Sequence, residues 1–596
     1  MSASEGSVEP TQDSRVVIGI SFGNSNSSIA YTTATEGKAE VIANEEGDRQ
    51  IPSILSYVGG EEFWGTQAKS QFVRNPTNTI AYFRDFLGKS FDGIAPSPCH
   101  ASAHPVKVES SVGFTVQEHV AAEADAGEEK DQQEPEKSTL SISEVSTRLL
   151  RRLQQSASDY LGRNVTAAVI TVPSDFSDEQ KTALAESAQK SGIEVLQLIP
   201  ETVSALLAHD AKNQQSAEGP SSQQQDKVIL VADLGGTRSD VAVVASRGGM
   251  YTTLSTAHDY ELGGTTLDKV LIEHAAKEFL KKNKTAKDPR VDARSLAKLT
   301  LEAESVKKAL SLSSSAAFSI ESLSSGMDFS LSVNRTRYEL LANKVFAAFT
   351  RLIDSAIQKA DLDILDIDMV LLSGGTSHTP KIATNLQSHF PESTTIIAPA
   401  TSSTAINPSE LTARGAAIQA SLVAGFEKEQ IEESTEAVVT VTPHLSSAIG
   451  LVSGPEGKET FAMIVEPETP VPVRRTAQIA VKAGGDVLIR LAEGIRSIDV
   501  SKEDKPATNG NAKDSDDDDD DDSDDEPEET RSKSWKPGNL LAEAGIRGVK
   551  KGGKVEVQVN VAADMTVTVV CREVGGKGGV RGTIEAGRAH LNGNAA

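Results

Sequence analysis

The segment Lys227-Val228-Ile229-Leu230-Val231-Ala232-Asp233-Leu234-Gly235-Gly236-Thr237 decides the fold. Its apolar, β-branched start reads as a buried strand, and it runs into a glycine turn. Such a turn lets backbone N–H groups approach phosphate oxygens with no Cβ in the way, and successive amides form an anion-binding concavity. One turn of this kind is weak evidence, because an ordinary hairpin uses the same glycines. The pattern recurs, however. Ile18-Gly19-Ile20 leads into Ser21-Phe22-Gly23-Asn24-Ser25, and Met369-Val370-Leu371-Leu372 leads into Ser373-Gly374-Gly375-Thr376-Ser377. Repetition in one strand–turn setting makes Gly23, Asn24, Ser25, Gly235, Gly236, Thr237, Gly374 and Gly375 candidate nucleotide-binding residues.

Outward from these turns, strand and helix patterns alternate, which indicates an α/β architecture. Ala167-Ala168-Val169-Ile170-Thr171-Val172-Pro173 is a further buried-strand candidate. A helix should follow with Asp178 as N-cap and a stop at Gly192, and helical patterns fill 265–311 and 339–360. After Val438 the chain changes to short alternating strands separated by Pro and Gly, the pattern of an all-β domain. Polar stretches at about 121–137, 211–226 and 503–536 lack apolar spacing and read as disordered inserts, the last rich in Asp. The expected organisation is a disordered 1–15, a domain over 16–426, a charged linker over 427–440, and a β domain over 441–596.

The 596 residues exceed what one core serves, and 38% apolar content is low for a wholly folded chain. A formal charge of −26, much of it between Asp514 and Glu529, argues against a general nucleic-acid-binding surface. The acidic run itself reads more simply as a solvated spacer than as a ligand for basic ribosomal surface. Cys99 and Cys571 form neither a disulfide framework nor a zinc-ligand spacing, and suit a reducing compartment. The start lacks a secretory or transit pattern, and no apolar run approaches the about 20 residues that cross a bilayer. A cytoplasmic protein with no membrane partner is expected.

Glu304, Lys307, Lys308 and Ser311 fall at i, i+3, i+4 and i+7 and share one helix face. Alone, such a face is a solvated, salt-bridged surface. Beside three phosphate-type turns it gains a second reading: long cationic stems sandwich a flat base while Glu and Ser hydrogen-bond a ribose.

These motifs, with Leu262-Gly263-Gly264 between them, stand in the order and spacing of the heat-shock protein 70 family. The chain resembles that family over nearly its whole length, and Val441-Thr442-Pro443-His444-Leu445 is similar to the opening of the family's substrate-binding β-sandwich. The resemblance implies an actin-like ATPase-type nucleotide-binding domain of two lobes and four subdomains, with ATP in the cleft, followed by a β domain. No helical pattern follows the last strands, so the family's helical lid is not expected.

The departures are informative. The family's first loop reads Asp-Leu-Gly-Thr-Thr, whereas here a carboxylate that organises the hydrated metal is replaced by Ser21. Arg84 stands where the family has its catalytic lysine, and Thr237-Arg238 replace a Gly-Thr pair in the second loop. Asp233, Asp240 and Glu201 remain, Glu201 within an altered Pro200-Glu201-Thr202-Val203, and His378 replaces an arginine near the adenine. Pro173 matches the family's switch proline; Lys181 replaces an arginine, and Glu436-Ala437-Val438-Val439-Thr440 is a weaker linker than the family's apolar run. Phosphoryl transfer depends on placement of metal and water, so recognition of ATP should outlast hydrolysis. No catalytic or metal-ligating residue is assigned, and magnesium is left open.

Within the family the chain resembles the atypical member of the fungal ribosome-associated complex. That resemblance implies a stable heterodimer with a zuotin-type J-domain protein, ribosome contact through that partner, and help to a ribosome-bound heat-shock protein 70 acting on nascent polypeptides. The expectation is therefore a pseudo-ATPase co-chaperone of co-translational folding. The alternatives are an active ATP-hydrolysing chaperone with its own clients, or a nucleotide-exchange factor, whose known relatives carry long helical C-termini.

Overall fold

The computed structural model describes residues 15–33, 37–94, 102–117, 137–216, 226–403, 405–435, 443–455, 458–503, 528–576 and 579–584. Nearly all of the expected N-terminal segment, the centres of the three polar inserts and residues 436–440 of the linker lie outside them. The chain divides into two compact units, the first made of Met1–Gln223, Val228–Val244 and Thr253–Thr435, the second of the remainder.

Two sheets with the same strand order organise the first unit. In the first, the order is Glu194–Pro200, Ala167–Val172, Val17–Phe22, Asn26–Thr32, Ala39–Ile42. In the second, it is Thr395–Ile397, Met369–Ser373, Lys227–Leu234, Ser239–Arg247, Met250–Asp259. In each, the strand that enters a glycine turn pairs in parallel with one neighbour: Val17–Phe22 with Ala167–Val172, and Lys227–Leu234 with Met369–Ser373. Sheets covered on both faces have near-continuous apolar strands. Accordingly, every residue of Ala167–Val172 and of Ser239–Arg247 is buried.

Small residues let the covering helices approach closely. A Cβ on Gly19 would lie 2.1 Å from the Ala417 nitrogen, so the first strand touches the backbone of helix Leu411–Val423. On another side of that helix, a Cβ on Gly415 would lie 1.8 Å from the Ser204 carbonyl oxygen of helix Glu201–Ser216.

Several boundaries differ from the sequence reading. Ser177, not Asp178, caps the helix Asp178–Ser191, because its hydroxyl accepts from the Gln180 N–H while Gln180 returns a bond to the Ser177 N–H. Gly192 ends that helix at φ 98°. The 265–311 pattern is two helices, Gly264–Lys282 and Ala293–Leu312, with Pro289 in the break and Asp292 capping the second. Two of the expected inserts overlap regular elements: residues 211–216 continue a helix, and residues 528–536 belong to strand Glu528–Val549. Within the expected linker, Lys428–Thr435 is helical.

The second unit contains two antiparallel four-stranded sheets. One runs Thr460–Val465, Ala448–Ser453, Gly485–Glu503, Glu528–Val549, and the other Val473–Val481, Gly553–Val561, Val567–Glu573, Gly579–Ile584. Ile449, Leu451 and Ile489 from one sheet share an apolar cluster with Val555, Val557 and Val559 from the other. The strands Gly485–Glu503 and Glu528–Val549 stay paired out to Glu503 opposite Glu528.

Candidate nucleotide-binding site

The two hairpin turns meet. Asn24 Nδ2 donates to Thr237 Oγ1 at 3.0 Å, and a Cβ on Gly236 would lie 2.3 Å from Ser25 Oγ. Asn24 Oδ1 and Ser25 Oγ are nevertheless buried without a hydrogen-bond partner. Orphaned polar atoms are costly; at the junction of two glycine turns the Ser25 hydroxyl suits donation to an oxygen of a bound phosphate chain, whereas Asn24 Oδ1 accepts only and calls for a donor.

The other glycine segments close on the second turn. Gly264 N–H donates to the Gly235 carbonyl and Thr265 N–H to that of Gly236, at 3.0 and 2.8 Å. Thr376 Oγ1 donates to the Gly235 carbonyl at 2.8 Å. Gly374 adopts φ 81°, and a Cβ there would come 2.3 Å from the Leu234 carbonyl oxygen. Gly23 allows the first turn to fold back, since its Cβ would lie 2.1 Å from the Asn26 carbonyl oxygen. Gly375 begins the short 3-10 turn Gly375–His378 beside Ser409. These eight candidate nucleotide-binding residues therefore converge.

The Ala293–Leu312 face is divided between partners. Lys307 Nζ donates to the Gly264 carbonyl and to Asp268, both at 2.9 Å, which ties the helix to the glycine segment. Glu304 pairs with Lys308 on its own helix and with Lys69, both at 2.7 Å. Lys308 is mostly exposed, and Ser311 Oγ donates to the Lys307 carbonyl. Burial opposes ionisation of Glu304, yet Lys69 and Lys308 draw its carboxyl down to about 2 from an ordinary 4.5. A depressed carboxylate stabilises fully above its unfolded value and loses that contribution as pH falls towards the folded one. Glu304→Gln should therefore lower the denaturant midpoint at pH 7, and the gap from wild type should narrow between about pH 4.5 and 2.

Guanidinium groups occupy the chemistry-bearing positions. Arg84 is buried, pairs with Asp85 at 2.7 Å and Glu201 at 2.8 Å, and donates to the Phe22 carbonyl at 3.2 Å. Its guanidinium stands 5.5 Å from the Phe176 ring centre. Arg238 grips Asp240 through Nε at 2.8 Å and Nη2 at 2.6 Å, and Nη2 also reaches Asp175 at 2.5 Å. Burial lowers the proton affinity of Arg84, but Asp85 and Glu201 reverse that, and the net direction is up. Burial likewise pushes the carboxyls of Glu201, Asp233 and Asp240 above the usual range; Arg84 and Arg238 offset only part of that cost.

Hydroxyls and arginines engage several of the positions where the resemblance would put groups around a hydrated metal. Ser21 Oγ accepts from Thr412 Oγ1 at 3.0 Å, while Asp240 and Glu201 face arginines. Among the described residues, no group of three or more His, Cys, Asp or Glu side chains could hold a metal ion.

Other residues keep structural settings. His378 Nε2 lies 3.0 Å from Ser409 Oγ and 3.1 Å from Asn407 Oδ1, and burial holds its pKa down. Lys181 pairs within its own helix with Asp178 at 3.3 Å. Sequence reasoning missed Lys69, Asp175, Tyr260 and Asp268. Tyr260, two residues before Leu262-Gly263-Gly264, had a positional signal; the others stand in no motif.

Two sheets of one strand order, meeting at paired glycine turns, define a nucleotide-binding protein built from matched halves. The family model described as Hsp70 protein matches residues 17–497, and the chain belongs to the heat-shock protein 70 family. The first unit's mixed sheets and helices are consistent with that family's actin-like ATPase domain. Among curated relatives, the ribosome-associated complex subunit SSZ1 of Saccharomyces cerevisiae is 44% identical over 568 residues, 95% of this chain and 99% of that protein. A heat shock protein 70 homolog of Schizosaccharomyces pombe is 40% identical over 577 residues, 96% of each chain. Heat shock 70 kDa protein 14 of Danio rerio is 32% identical over 458 residues, 77% of this chain and 84% of that protein. Among the described residues, no helix is long and apolar enough to cross a membrane.

Proposed function

We propose that this chain is an ATP-binding, non-hydrolysing co-chaperone, held by a zuotin-type J-domain protein in a stable complex at the ribosome. There it assists another heat-shock protein 70 in co-translational folding. The observation that carries the nucleotide part is the junction of the two glycine turns, where the Ser25 hydroxyl is buried without a partner among the described residues and can donate to a phosphate oxygen. Gly23, Asn24, Ser25, Gly235, Gly236 and Thr237 hold the phosphates, and Glu304, Lys307, Lys308, Ser311, Gly374 and Gly375 hold the adenosine. Arg84 and Arg238 carry the non-hydrolysing part. Arg84 is locked between two carboxylates and lacks the proton-exchange capacity of a lysine. The extended likeness to a subunit of the ribosome-associated complex supports the partner assignment. Bound ATP then stabilises the folded chain by mass action, without turnover.

Purification of the native protein, followed by ATP binding and single-turnover hydrolysis with and without a J-domain, tests this reading. Binding without phosphate release, and a co-purifying J-domain protein, are expected. J-domain-stimulated phosphate release would instead establish an active chaperone, and a monomer emerging alone would remove the heterodimer. Faster ADP release from another heat-shock protein 70 would establish an exchange factor.

A further inference from the structure

We infer that Arg238, Asp175 and Tyr260 form a latch across the two sheets that sets how fast nucleotide enters and leaves, with Asp175 as its positioning residue. The inference rests on the nucleotide-binding reading above and adds its kinetic control. Asp175 follows the first sheet's strand Ala167–Val172, whereas Arg238 lies in the second sheet's hairpin turn and Tyr260 follows the strand Met250–Asp259. One carboxylate bridges both: its Oδ1 accepts from Arg238 Nη2 at 2.5 Å and its Oδ2 accepts from the Tyr260 hydroxyl. The Tyr260 ring also lies 4.8 Å from the Arg238 guanidinium. On the first-sheet side, Lys89 Nζ stands 5.4 Å from the same ring. Lys89 follows Gly88, whose loop packs against helix Asp178–Ser191, since a Cβ on Gly88 would lie 2.7 Å from the Gln180 Cα.

The burial gradient distinguishes a latch from a permanent tie. Arg238 and Asp240 are each 5% exposed and bonded twice, so that pair stays with the second sheet. Asp175 is 16% exposed and Tyr260 49%. Water can therefore replace the Asp175 contacts from outside without disturbing Arg238 on Asp240. The latch adjoins the Asn24–Thr237 bond that closes the phosphate turns. A ligand held between the sheets passes when they part, and charge-assisted hydrogen bonds across the gap, Arg238 to Asp175 here and Lys69 to Glu304 elsewhere, oppose that parting.

The latch joins protein to protein, so weakening it speeds entry and exit together and changes affinity little. A lost ligand contact would speed exit alone. Stopped-flow measurements with N-methylanthraniloyl-ATP, chased with unlabelled ATP, separate these. We expect Asp175→Asn to raise both rate constants about tenfold, as loss of a charge-assisted hydrogen bond predicts. Tyr260→Phe should raise both by a smaller factor, and Asp175→Glu should return towards wild type. Tyr260→Phe removes one hydroxyl from a half-exposed ring, so it supplies a folded variant if Asp175→Asn folds poorly. Unchanged rates in both variants, or faster exit with unchanged entry, would overturn the latch. Wild-type protein that takes up no labelled nucleotide would overturn the binding reading and the latch with it.

Discussion

Arg238→Ala lowers the stability of the first unit by about 3–5 kcal/mol at neutral pH, the usual cost of stripping one partner from a buried ion pair. The variant leaves Asp240 and Asp175 facing each other where a guanidinium had held both. Asp240 is the costlier of the two, since it is almost fully buried and burial already pushes its pKa up with Arg238 in place. Asp175 regains water more easily. The loss should shrink as pH is lowered, because a protonated Asp240 no longer requires a cation beside it. Urea unfolding at pH 7 and pH 5 measures both effects. An equal loss at the two pH values would assign the damage to packing against Tyr260 rather than to charge. Arg238→Lys should recover only part of the loss, since an ammonium cannot reproduce the two-point grip on Asp240.

Gly374→Ala has the second largest expected effect. At φ 81° and ψ 158° the backbone lies in a region essentially reserved for glycine, where an L side chain is strained by about 1–3 kcal/mol. The new Cβ would also stand 2.3 Å from the Leu234 carbonyl oxygen and 2.7 Å from Asp233 Oδ1, so two adjacent strands must separate. Overpacking of that kind costs about 1–3 kcal/mol more. The displaced strand enters the second glycine turn, so nucleotide affinity should fall with stability. Calorimetric ATP titration beside a thermal melt checks this. A lowered melting point with full affinity would show that the turn tolerates movement of its strand.

The strands were legible because their burial is written in composition. Ala167–Val172 and Met369–Ser373 are short, apolar runs covered on both faces, with no competing helical period. The glycine turns were legible because only glycine permits the close backbone approaches at Gly23, Gly235 and Gly374. Helix ends were less so: Ser177 and Asp178 both qualify as caps, and only geometry shows which side chain reaches the Gln180 N–H. The break after Lys282 was missed although Asp288-Pro289 marked it, because Lys-rich sequence continues an apparent helical face. Contacts across the chain were not legible. Lys69 meets Glu304, and Arg238 meets Asp175, through folding alone, and no local period encodes either pair. The shared face of Glu304, Lys307, Lys308 and Ser311 was read correctly as spacing, yet the side chains turn to different partners.

The long pairing of Gly485–Glu503 with Glu528–Val549 bears on how this protein can vary between lineages. Glu503 and Glu528 are opposite one another, so the intervening Asp-rich segment leaves and re-enters the sheet at one point. Register and core are set by the paired strands on either side of it, so its length enters neither. Copying slippage in a run of Asp codons is thus nearly invisible to folding. The length of the acidic tract can drift, or respond to selection on a partner, while the sheet that anchors it stays the same.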